Sequence, residues 1–334
     1  MKAIIYDERE GPALREVPAP EPEEGGAVLS VEACGLCGTD LLKLAEKKAG
    51  AVLGHEIVGR VAKTRAPYGK FKEGERVVLG HHVPCGHCHY CRRDSPSMCA
   101  QFKATNVSPG GFSEMVRVSA LHLDRTVVKI SEDLDAAAAC QIEPLACCVR
   151  NVRRLGLSSG DAAAVVGLGS IGLLSAQLLR LDGVRVFGLD LDPGRLKAAA
   201  PWMTGYSDAR ELEAAAKGST AGRGLDAAVI TAGPADLARQ SLSWLRHGGT
   251  LNIFAAPKPS DAVFDLDAIY HRELRVLASY SATPEDLRRS AELVSGGQIS
   301  LSPIASGRYA LEDFSRAVDD ARARRVMKAI LVPR

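Results

Sequence analysis

Short apolar runs alternate with helical patterns through the middle of the chain. Alanine-rich stretches with helical periodicity, such as 209–217 and 235–246, separate runs that are typical of buried strands. Because strands that alternate with helices form parallel sheets, this pattern predicts a doubly wound sheet of about six strands between 150 and 282. The predicted strands cover 162–166, 184–189, 226–231, 249–254 and 274–279.

The two flanking regions have a different pattern. Residues 1–148 contain short valine-rich runs and many glycines and prolines, which predict a β-rich region. Residues 283–334 open with a helical pattern and end in the strand-like sequence MKAILV, which we expect to return to the first region. The predicted fold class is therefore α/β, with one domain formed by 1–149 and 283–334 and a second formed by 150–282.

Length and charge narrow the class of protein. A chain of 334 residues suggests about two domains. With 42 basic and 40 acidic residues and 5% aromatic residues, we expect neither a nucleic-acid-binding face nor a base-stacking platform. No apolar run reaches the ~18–20 residues of a membrane helix. The N-terminal sequence MKAIIYDEREGP is not a secretory signal, so we expect a cytoplasmic protein without membrane partners.

Four of the nine cysteines form a close cluster. In a reducing compartment, clustered cysteines favour metal ligands over disulfides. Three thiols at a spacing of three residues, followed by a fourth eight residues later, can reach the tetrahedral geometry of zinc, with an iron–sulfur centre or a redox cluster as alternatives. Because four sulfur ligands leave no open position, this zinc would be structural. The cluster consists of Cys85, Cys88, Cys91 and Cys99, in a lobe over 84–100.

A second group of candidate metal ligands is scattered over three segments. Each segment offers a thiolate, an imidazole or a carboxylate beside Gly or Pro, and each is a weak signal when taken singly. Mixed ligands with fewer than four fixed protein groups are typical of a catalytic zinc that keeps an exchangeable position. The candidates are Cys34 and Cys37 in 33–40, His55 and Glu56 in 54–59, and Glu143 in 141–146.

A glycine-rich turn directly follows the predicted strand 162–166. In the sequence GLGSIG, Gly167 permits the tight turn, Gly169 lets the backbone approach a pyrophosphate, and Gly172 lets the next helix pack closely. The pyrophosphate would lie at the helix N-terminus, where free N–H groups favour an anion. We therefore include Ser170 and Ile171, which open the helix, among the candidate cofactor contacts.

The end of the next predicted strand carries an acidic residue. Asp190 lies 23 residues after Gly167, close to the ~20 expected for the carboxylate that binds the ribose 2′-hydroxyl. A carboxylate there repels a 2′-phosphate, which favours NAD over NADP. Asp192, directly before Pro193, fits the role of a helix cap better than Asp190 does. Arg195 lies one turn further and is a candidate contact to the adenosine, which leaves NADP open.

These motifs, in this order, resemble the zinc-containing medium-chain dehydrogenase/reductase superfamily over nearly the whole chain. The resemblance implies a β-rich GroES-like catalytic domain with a structural zinc lobe, and a Rossmann domain that binds the dinucleotide. The Glu-Pro-Leu sequence resembles the polyol (sorbitol-type) and L-threonine dehydrogenase branches. The motifs are CGLCGTD, GHEIVG, GERV, the four-cysteine lobe, GGFSEM, IEPLA, GLGSIG, LRHGGTL and KAILVP.

The resemblance also implies roles for individual residues. Cys37, rather than Cys34, would bind a catalytic zinc with His55, and Glu56 and Glu143 would be the carboxylates at that site, one or both of them ligands. With the cysteine lobe, this gives two zinc ions per chain. Thr39 matches the hydroxyl that accepts the substrate proton in this family, while the zinc lowers the pKa of the alcohol.

Two departures from the family pattern affect the predicted substrate. Leu42 occupies the position where many relatives have a proton-relaying histidine, so the proton would leave through His82 or water. Only 17 residues separate Cys37 from His55, whereas relatives have a longer loop there, and a more open cleft favours a bulky substrate.

The sequence therefore predicts an NAD-linked, zinc-dependent dehydrogenase of a secondary alcohol, namely a polyol, sugar or cyclitol derivative. The alternatives are an L-threonine-type amino-alcohol dehydrogenase and a non-catalytic zinc protein that senses NAD(H). Because relatives of this type are dimers or tetramers, we expect a homodimer or homotetramer.

Overall fold

The computed structural model of the protein describes residues 1–7, 11–46, 52–66, 70–255 and 263–333. The chain divides into two compact units, one formed by Met1–Ala146 with Ala282–Arg334 and the other by Cys147–Ser281. The sequence predicted boundaries after 149 and after 282, and its description of the two parts as separate domains stays a prediction. Among the described residues, no helix combines the length and the apolar character that crossing a membrane requires.

The N-terminal part of the first unit is mainly antiparallel sheet with short helices. Its strands are β1 (Lys2–Asp7), β2 (Gly11–Glu16), β3 (Ala27–Gly35), β4 (Glu56–Thr64), β5 (Arg76–Leu79), β6 (Met115–Val118) and β7 (Val127–Lys129). Its helices are α1 (Gly38–Ala45), α2 (His89–Arg92), α3 (Ala100–Ala104), α4 (Ala120–Arg125) and α5 (Ala136–Ala139), and α6 (Ile142–Leu155) follows them.

The strand β3 is the centre of this sheet. It pairs antiparallel with β4 on one side and, through its first residues, with β6. Alternate side chains such as Leu29 and Val31 face a hydrophobic core that Val61 and Val116 complete. The pairing sets Gly35, at the end of β3, opposite Glu56, at the start of β4. The sheet register therefore brings the sequence around Cys37 close to the sequence around His55.

The second unit is a parallel sheet flanked by helices. Its strands lie in the order β10-β9-β8-β11-β12-β13, and every pair is parallel. The doubly wound parallel sheet predicted from the sequence is thus confirmed. In chain order the elements are β8 (Ala162–Val166), α7 (Ser170–Leu181), β9 (Arg185–Leu189), α8 (Pro193–Ala199), β10 (Thr204–Tyr206), α9 (Ala209–Ser219), β11 (Leu225–Ile230), α10 (Ala235–Gln240), β12 (Leu245–Ile253), α11 (Leu266–His271) and β13 (Arg275–Ala278).

Two details of this unit differ from the sequence prediction. The helix predicted over 235–246 is wrong at its C-terminal end, because α10 stops at Gln240 and β12 already begins at Leu245. Leu245 pairs with Leu225 of β11, so sheet pairing overrides the local helical pattern. The strand β10 was not predicted, because three residues are too few to show a strand periodicity.

The C-terminal part returns to the first unit, as the sequence predicts. It contains α12 (Pro284–Ser295), β14 (Gly307–Tyr309), α13 (Phe314–Arg322) and β15 (Ala329–Leu331). The strand β15 pairs antiparallel with β3, setting Ile330 opposite Gly35 and Leu331 opposite Cys34. This pairing carries Lys328, directly before β15, to the end of β3 where Glu56 lies.

Candidate metal centres and cofactor site

The four cysteines of the lobe lie together as a compact group of sulfur atoms. All four sulfurs lie within 4.8 Å of one another, and the Sγ atoms of Cys88 and Cys91 are 3.6 Å apart. A tetrahedral zinc with Zn–S bonds of ~2.3 Å requires S–S distances of about 3.8 Å. The four sulfurs therefore fit a single zinc ion, and their spacing leaves no room for a multi-iron cluster.

Backbone N–H groups support the negative charge of this group. The N–H of Cys85 points at the sulfur of Cys99 over 3.4 Å, and the N–H of Cys88 points at the sulfur of Cys85 over 3.3 Å. Burial raises the pKa of the Cys99 thiol, but the backbone donors outweigh that effect and lower the pKa to about 6. A thiolate is the form that binds metal, so the surroundings of Cys99 favour its role as a ligand.

A second group combines a thiolate, an imidazole and a carboxylate. One donor atom from each of Cys37, His55 and Glu56 lies within 4.8 Å of the other two. Cys37 directly precedes α1, and Glu56 is the first residue of β4. His55 and Glu56 are 8% and 1% exposed, so burial removes these donors from competing water. Three mixed donors fit a zinc ion that retains a further coordination position.

Asp40 contacts two residues of this group, Cys37 and His55. It is fully buried, and one carboxylate oxygen accepts the backbone N–H of Cys37 over 3.0 Å. The other oxygen accepts the N–H of Gly54 and lies 3.6 Å from Nδ1 of His55, an atom that forms no hydrogen bond with the described residues. Burial alone would raise the pKa of Asp40, but the neighbouring His55 and the N–H donors lower it. A carboxylate behind a ligating histidine is a common means of orienting the imidazole.

Glu56 is held by a buried ion pair. Its Oε1 accepts a hydrogen bond from Nζ of Lys328 at 2.5 Å, while its Oε2 has no hydrogen-bond partner within the described ranges. A Cβ atom on Gly35 would lie 2.0 Å from Oε2, so only glycine leaves room for this carboxylate. Burial lowers the pKa of Lys328, but Glu56 outweighs that effect and raises it, so the lysine stays charged. The unpartnered oxygen is an available ligand for a cation.

Glu143 is close to the centre but outside the three-donor group. Its carboxylate lies 3.9 Å from Nδ1 of His81, whose ring is 4.5 Å from the ring of His55. Burial, with a contribution from Glu56, raises the pKa of Glu143 to about 7. The choice between Glu56 and Glu143 as the direct ligand, which the sequence leaves open, is therefore still a prediction.

The remaining candidates of the first unit occupy distinct positions. Cys34 is fully buried against Gly111, and burial raises the pKa of its thiol well above the ordinary value, which makes it a poor ligand. Thr39, the second residue of α1, is half-buried, and Leu42 is 44% exposed. Part of the short segment between Cys37 and His55, residues 47–51, lies outside the described residues.

The glycine turn of the second unit has the geometry that its sequence predicts. Gly167 has φ +87°, and a Cβ there would lie 2.6 Å from the Cβ of Ala232. A Cβ on Gly172 would lie 1.9 Å from the carbonyl oxygen of Gly167, so only glycine lets α7 pack against the turn. The hydroxyl of Thr231 donates to that same oxygen over 2.7 Å. Gly169 precedes α7, so the free N–H groups of this helix face the turn.

The acidic residue after β9 is bound to this turn. Oδ2 of Asp190 accepts the N–H of Leu168 over 2.7 Å, and Oδ1 accepts the N–H of Asp192 over 3.0 Å. Nη1 of Arg195 lies 3.8 Å from Oδ2. Asp192 caps α8 by accepting the N–H groups of Gly194 and Arg195, as the sequence predicts. The carboxylate of Asp190 is thus hydrogen-bonded to the glycine turn and lies beside the guanidinium group of Arg195.

Comparisons with known proteins agree with this arrangement. The family model described as Alcohol dehydrogenase GroES-like domain matches residues 23–132, and the model described as Zinc-binding dehydrogenase matches residues 170–296. A D-altritol 5-dehydrogenase from Agrobacterium fabrum is 30% identical over 94% of both chains. The chain belongs to the zinc-dependent medium-chain alcohol dehydrogenase superfamily.

Other members of the superfamily match along nearly their full length. An L-threonine 3-dehydrogenase from Bacillus velezensis is 29% identical over 100% of this chain and 99% of its own. The structure of a zinc-binding dehydrogenase from Sinorhizobium meliloti, solved with bound NADP, superposes with a TM-score of 0.87 at 29% identity over 99% of both chains. The predicted fold class, a GroES-like region with a Rossmann-like parallel sheet, is confirmed.

For a member of this superfamily, the structure adds three residues that the sequence analysis had not assigned to the site. Asp40 and Lys328 lie inside quoted motifs, CGLCGTD and KAILVP, and those motifs are the signal that could have found them. The third residue is His81, whose ring packs against the ring of His55 and lies beside Glu143. His82 packs against both His81 and Phe102, with Nδ1 at the carbonyl oxygen of Thr105.

Proposed function

We propose that the protein transfers a hydride between the carbinol carbon of a secondary alcohol and NAD, with a polyol, sugar or cyclitol derivative as substrate. The observation that carries this proposal is the mixed donor group of Cys37, His55 and Glu56, which differs from the saturated cysteine lobe. A catalytic zinc needs an exchangeable position for the substrate, and only the mixed group leaves one. The two groups together correspond to two zinc ions per chain.

The residues around the mixed group have separate tasks. Bound zinc would act as a Lewis acid that lowers the pKa of the substrate hydroxyl. Thr39, two residues after Cys37, accepts the proton that this hydroxyl loses. Asp40 fixes the orientation of Cys37 and His55, and Lys328 holds the carboxylate of Glu56 in its buried position through a hydrogen bond. Thr39 is thus the catalytic hydroxyl, and Asp40 and Lys328 are positioning residues.

The second unit binds the dinucleotide in this proposal. Gly167, Gly169 and Gly172, with Ser170 and Ile171 at the start of α7, receive the pyrophosphate at the helix N-terminus. NAD is favoured because a carboxylate after β9 repels a 2′-phosphate.

In this proposal, two residues determine the preference for NAD over NADP. Asp190 binds the ribose 2′-hydroxyl, and Arg195 lies against the adenosine. NADP is the weaker alternative because the positive charge of Arg195 is beside the carboxylate of Asp190. We also propose that the protein is cytoplasmic and forms a homodimer or a homotetramer.

A substrate screen with a metal count tests the proposal. Zinc-loaded protein is assayed with NAD⁺ and NADP⁺ at 340 nm against polyols, sugar acids, cyclitols and short primary alcohols, and zinc per chain is measured in the same preparation. We expect two zinc ions and turnover with NAD⁺ on a polyhydroxylated secondary alcohol. Faster turnover of short primary alcohols than of polyols would contradict the predicted substrate class.

Two variants of the second unit test the cofactor assignment. Asp190→Gly removes the carboxylate that repels the 2′-phosphate, so the preference for NAD⁺ over NADP⁺ should fall by about tenfold or more. Asp192→Asn, which retains a capping side chain on α8, is the matched control and should leave the preference unchanged. An unchanged cofactor ratio in Asp190→Gly would contradict the ribose assignment.

An L-threonine-type amino-alcohol dehydrogenase is the second candidate. The 29% identity to an L-threonine 3-dehydrogenase over the whole chain favours it. Faster turnover of L-threonine than of every polyol in the screen would establish this candidate instead. A protein that binds NAD(H) and two zinc ions but reduces no dinucleotide in the screen would be the non-catalytic sensor.

A further inference from the structure

Lys43 lies one helical turn beyond Thr39 on α1. Residues four apart share one face of a helix, with Cβ atoms about 5–6 Å apart. The next residues on that turn, Asp40 and Leu44, are the buried pair of α1. Thr39 and Lys43 are both half-buried, so they border the buried face together. The ammonium group of Lys43 can therefore reach the space beside the Thr39 hydroxyl.

No carboxylate among the described residues pairs with the ammonium group of Lys43. Its Nζ donates to the carbonyl oxygen of Val52 over 2.9 Å, which uses one of its three donor protons. Within the described ranges, Lys43 forms no ion pair, whereas Lys328 is paired with Glu56 and the surface Lys63 is paired with Glu21. A half-buried ammonium whose two other donor protons meet no acceptor in the part of the chain that the structure describes has the chemistry of an anion-binding group.

This charge is also close to the metal centre. Val52, whose carbonyl oxygen accepts from Nζ of Lys43, lies three residues before His55 in the chain. Asp40, one helical turn before Lys43 on α1, has a carboxylate oxygen 3.6 Å from Nδ1 of His55. An anion bound at Lys43 would thus lie beside the mixed donor group and not on a remote surface.

We propose that Lys43 recognises the carboxylate of the substrate, so that the preferred alcohol is a hydroxy acid or sugar acid and not a neutral polyol. The carbinol carbon lies at Thr39 and the carboxylate lies one helical turn away, a few carbons along the substrate. This role rests on the proposed dehydrogenase function and narrows its substrate class. A charge-assisted hydrogen bond is shorter and stronger than a neutral one, which makes Lys43 a residue that determines specificity.

Matched substrates isolate the contribution of the carboxylate. Gluconate is compared with glucitol, and L-threonine with threoninol, because each pair shares a carbon skeleton and differs in one terminal group. We expect kcat/KM with NAD⁺ to be about 10- to 100-fold higher for the acid of whichever pair is turned over. The preference should decline as the ionic strength rises from about 0.01 to 1 M, since salt screens the attraction.

Variants of Lys43 assign that preference to one side chain. Lys43→Met should reduce the acid-to-neutral ratio to about one, and Lys43→Arg should retain most of it. Lys43→Glu should reverse the selectivity in favour of glucamine, the cationic analogue of glucitol. Lys63→Met is the matched control, since it removes an exposed lysine from an ion pair of small energetic value and should leave the ratio unchanged.

The outcomes separate this inference from the proposed function. If the wild-type protein turns over neither member of either pair, the proposed function fails for these substrates and the inference fails with it. If it turns over both members equally, the dehydrogenase function stands and the role of Lys43 is wrong. If Lys43 only ties α1 to Val52, Lys43→Met should reduce kcat/KM for both members of a pair by the same factor. That result would also overturn the inference. Should Lys43→Met not fold, the wild-type salt profile and Lys43→Arg still decide.

Discussion

The two candidate metal sites of this protein are built in opposite ways. The lobe takes all four ligands from one stretch of 15 residues, Cys85 to Cys99, and all four are sulfur. The other site takes Cys37 from the start of α1, and His55 and Glu56 from the start of β4, and its donors are sulfur, nitrogen and oxygen. A local, uniform ligand set closes around its ion, whereas a dispersed, mixed set can leave one side open.

The surroundings of the two sites differ in the same sense. The lobe sulfurs are saturated by one another and by backbone N–H groups. At the mixed site, Oε2 of Glu56 is buried and has no hydrogen-bond partner among the described residues, while Asp40 faces Nδ1 of His55 and Lys328 pairs with Oε1 of Glu56. Buried polar atoms without partners are costly, so they are expected where a ligand will satisfy them. The comparison predicts that one site supports the fold and the other supports the chemistry.

The largest expected effect is the loss of turnover in Cys37→Ser. The hydroxyl of serine is a poor replacement for a thiolate ligand, so activity should fall to background. The fold should remain, because the lobe is untouched. Activity is measured in the substrate screen, and circular dichroism and the zinc content report the fold and the remaining ion. Turnover within tenfold of wild type would show that Cys37 is not a ligand of the catalytic ion.

Cys88→Ser should instead damage stability. A structural zinc contributes to folding directly, and a loss of about 3–5 kcal/mol would lower the thermal midpoint by about 10 °C. Residual activity per folded molecule should remain measurable at low temperature. The reverse pattern, with an unchanged melting curve and abolished turnover, would exchange the roles of the two sites.

The variant Lys328→Met tests whether the ion pair with Lys328 stabilises the buried carboxylate of Glu56. Removing one member of a buried ion pair leaves the other charge unpaired, which costs about 3–5 kcal/mol. The double variant Lys328→Met with Glu56→Gln removes both charges, so it should recover part of the lost thermal stability. If the single and double variants melt at the same temperature, Glu56 and Lys328 are not energetically coupled.

Asp40→Asn should give the smallest effect of the series. The amide keeps the shape of the side chain but weakens the contact to His55 and the acceptance of the Cys37 N–H, so zinc affinity or activity should fall by about 10- to 100-fold. A competition titration with a zinc chelator measures the affinity separately from turnover. Asp94→Asn, in the cysteine lobe, is the control, and a loss as large as that of Asp40→Asn would remove the distinction between the sites.

Local features of the sequence predict local features of the structure well. The lobe and the glycine turn each lie within one short segment, and the structure brings their residues together as the spacing implies. The strand β8 covers the predicted 162–166 because its five residues are all apolar and all buried. Here backbone geometry and side-chain chemistry are set by neighbours in sequence.

Features that depend on distant pairing were harder to predict. Lys328 reaches Glu56 only because β15 pairs with β3, and the two residues are 272 positions apart. The ring of His81 packs against His55 from a different strand end, and no periodicity marks it. The predicted helix extended past the true end of α10 for the same reason, because β12 begins where it can pair with β11. Tertiary pairing, which a single sequence does not display, decides these positions.

The most direct test of the two-site account is anomalous diffraction at the zinc absorption edge from crystals of the zinc-loaded protein. The account predicts two peaks per chain, one surrounded by the four lobe sulfurs and one in contact with Cys37, His55 and a carboxylate. It also predicts that only the second ion has a ligand from outside the protein. A single peak in the lobe, or a second ion already enclosed by four protein ligands, would contradict a catalytic zinc at the mixed site.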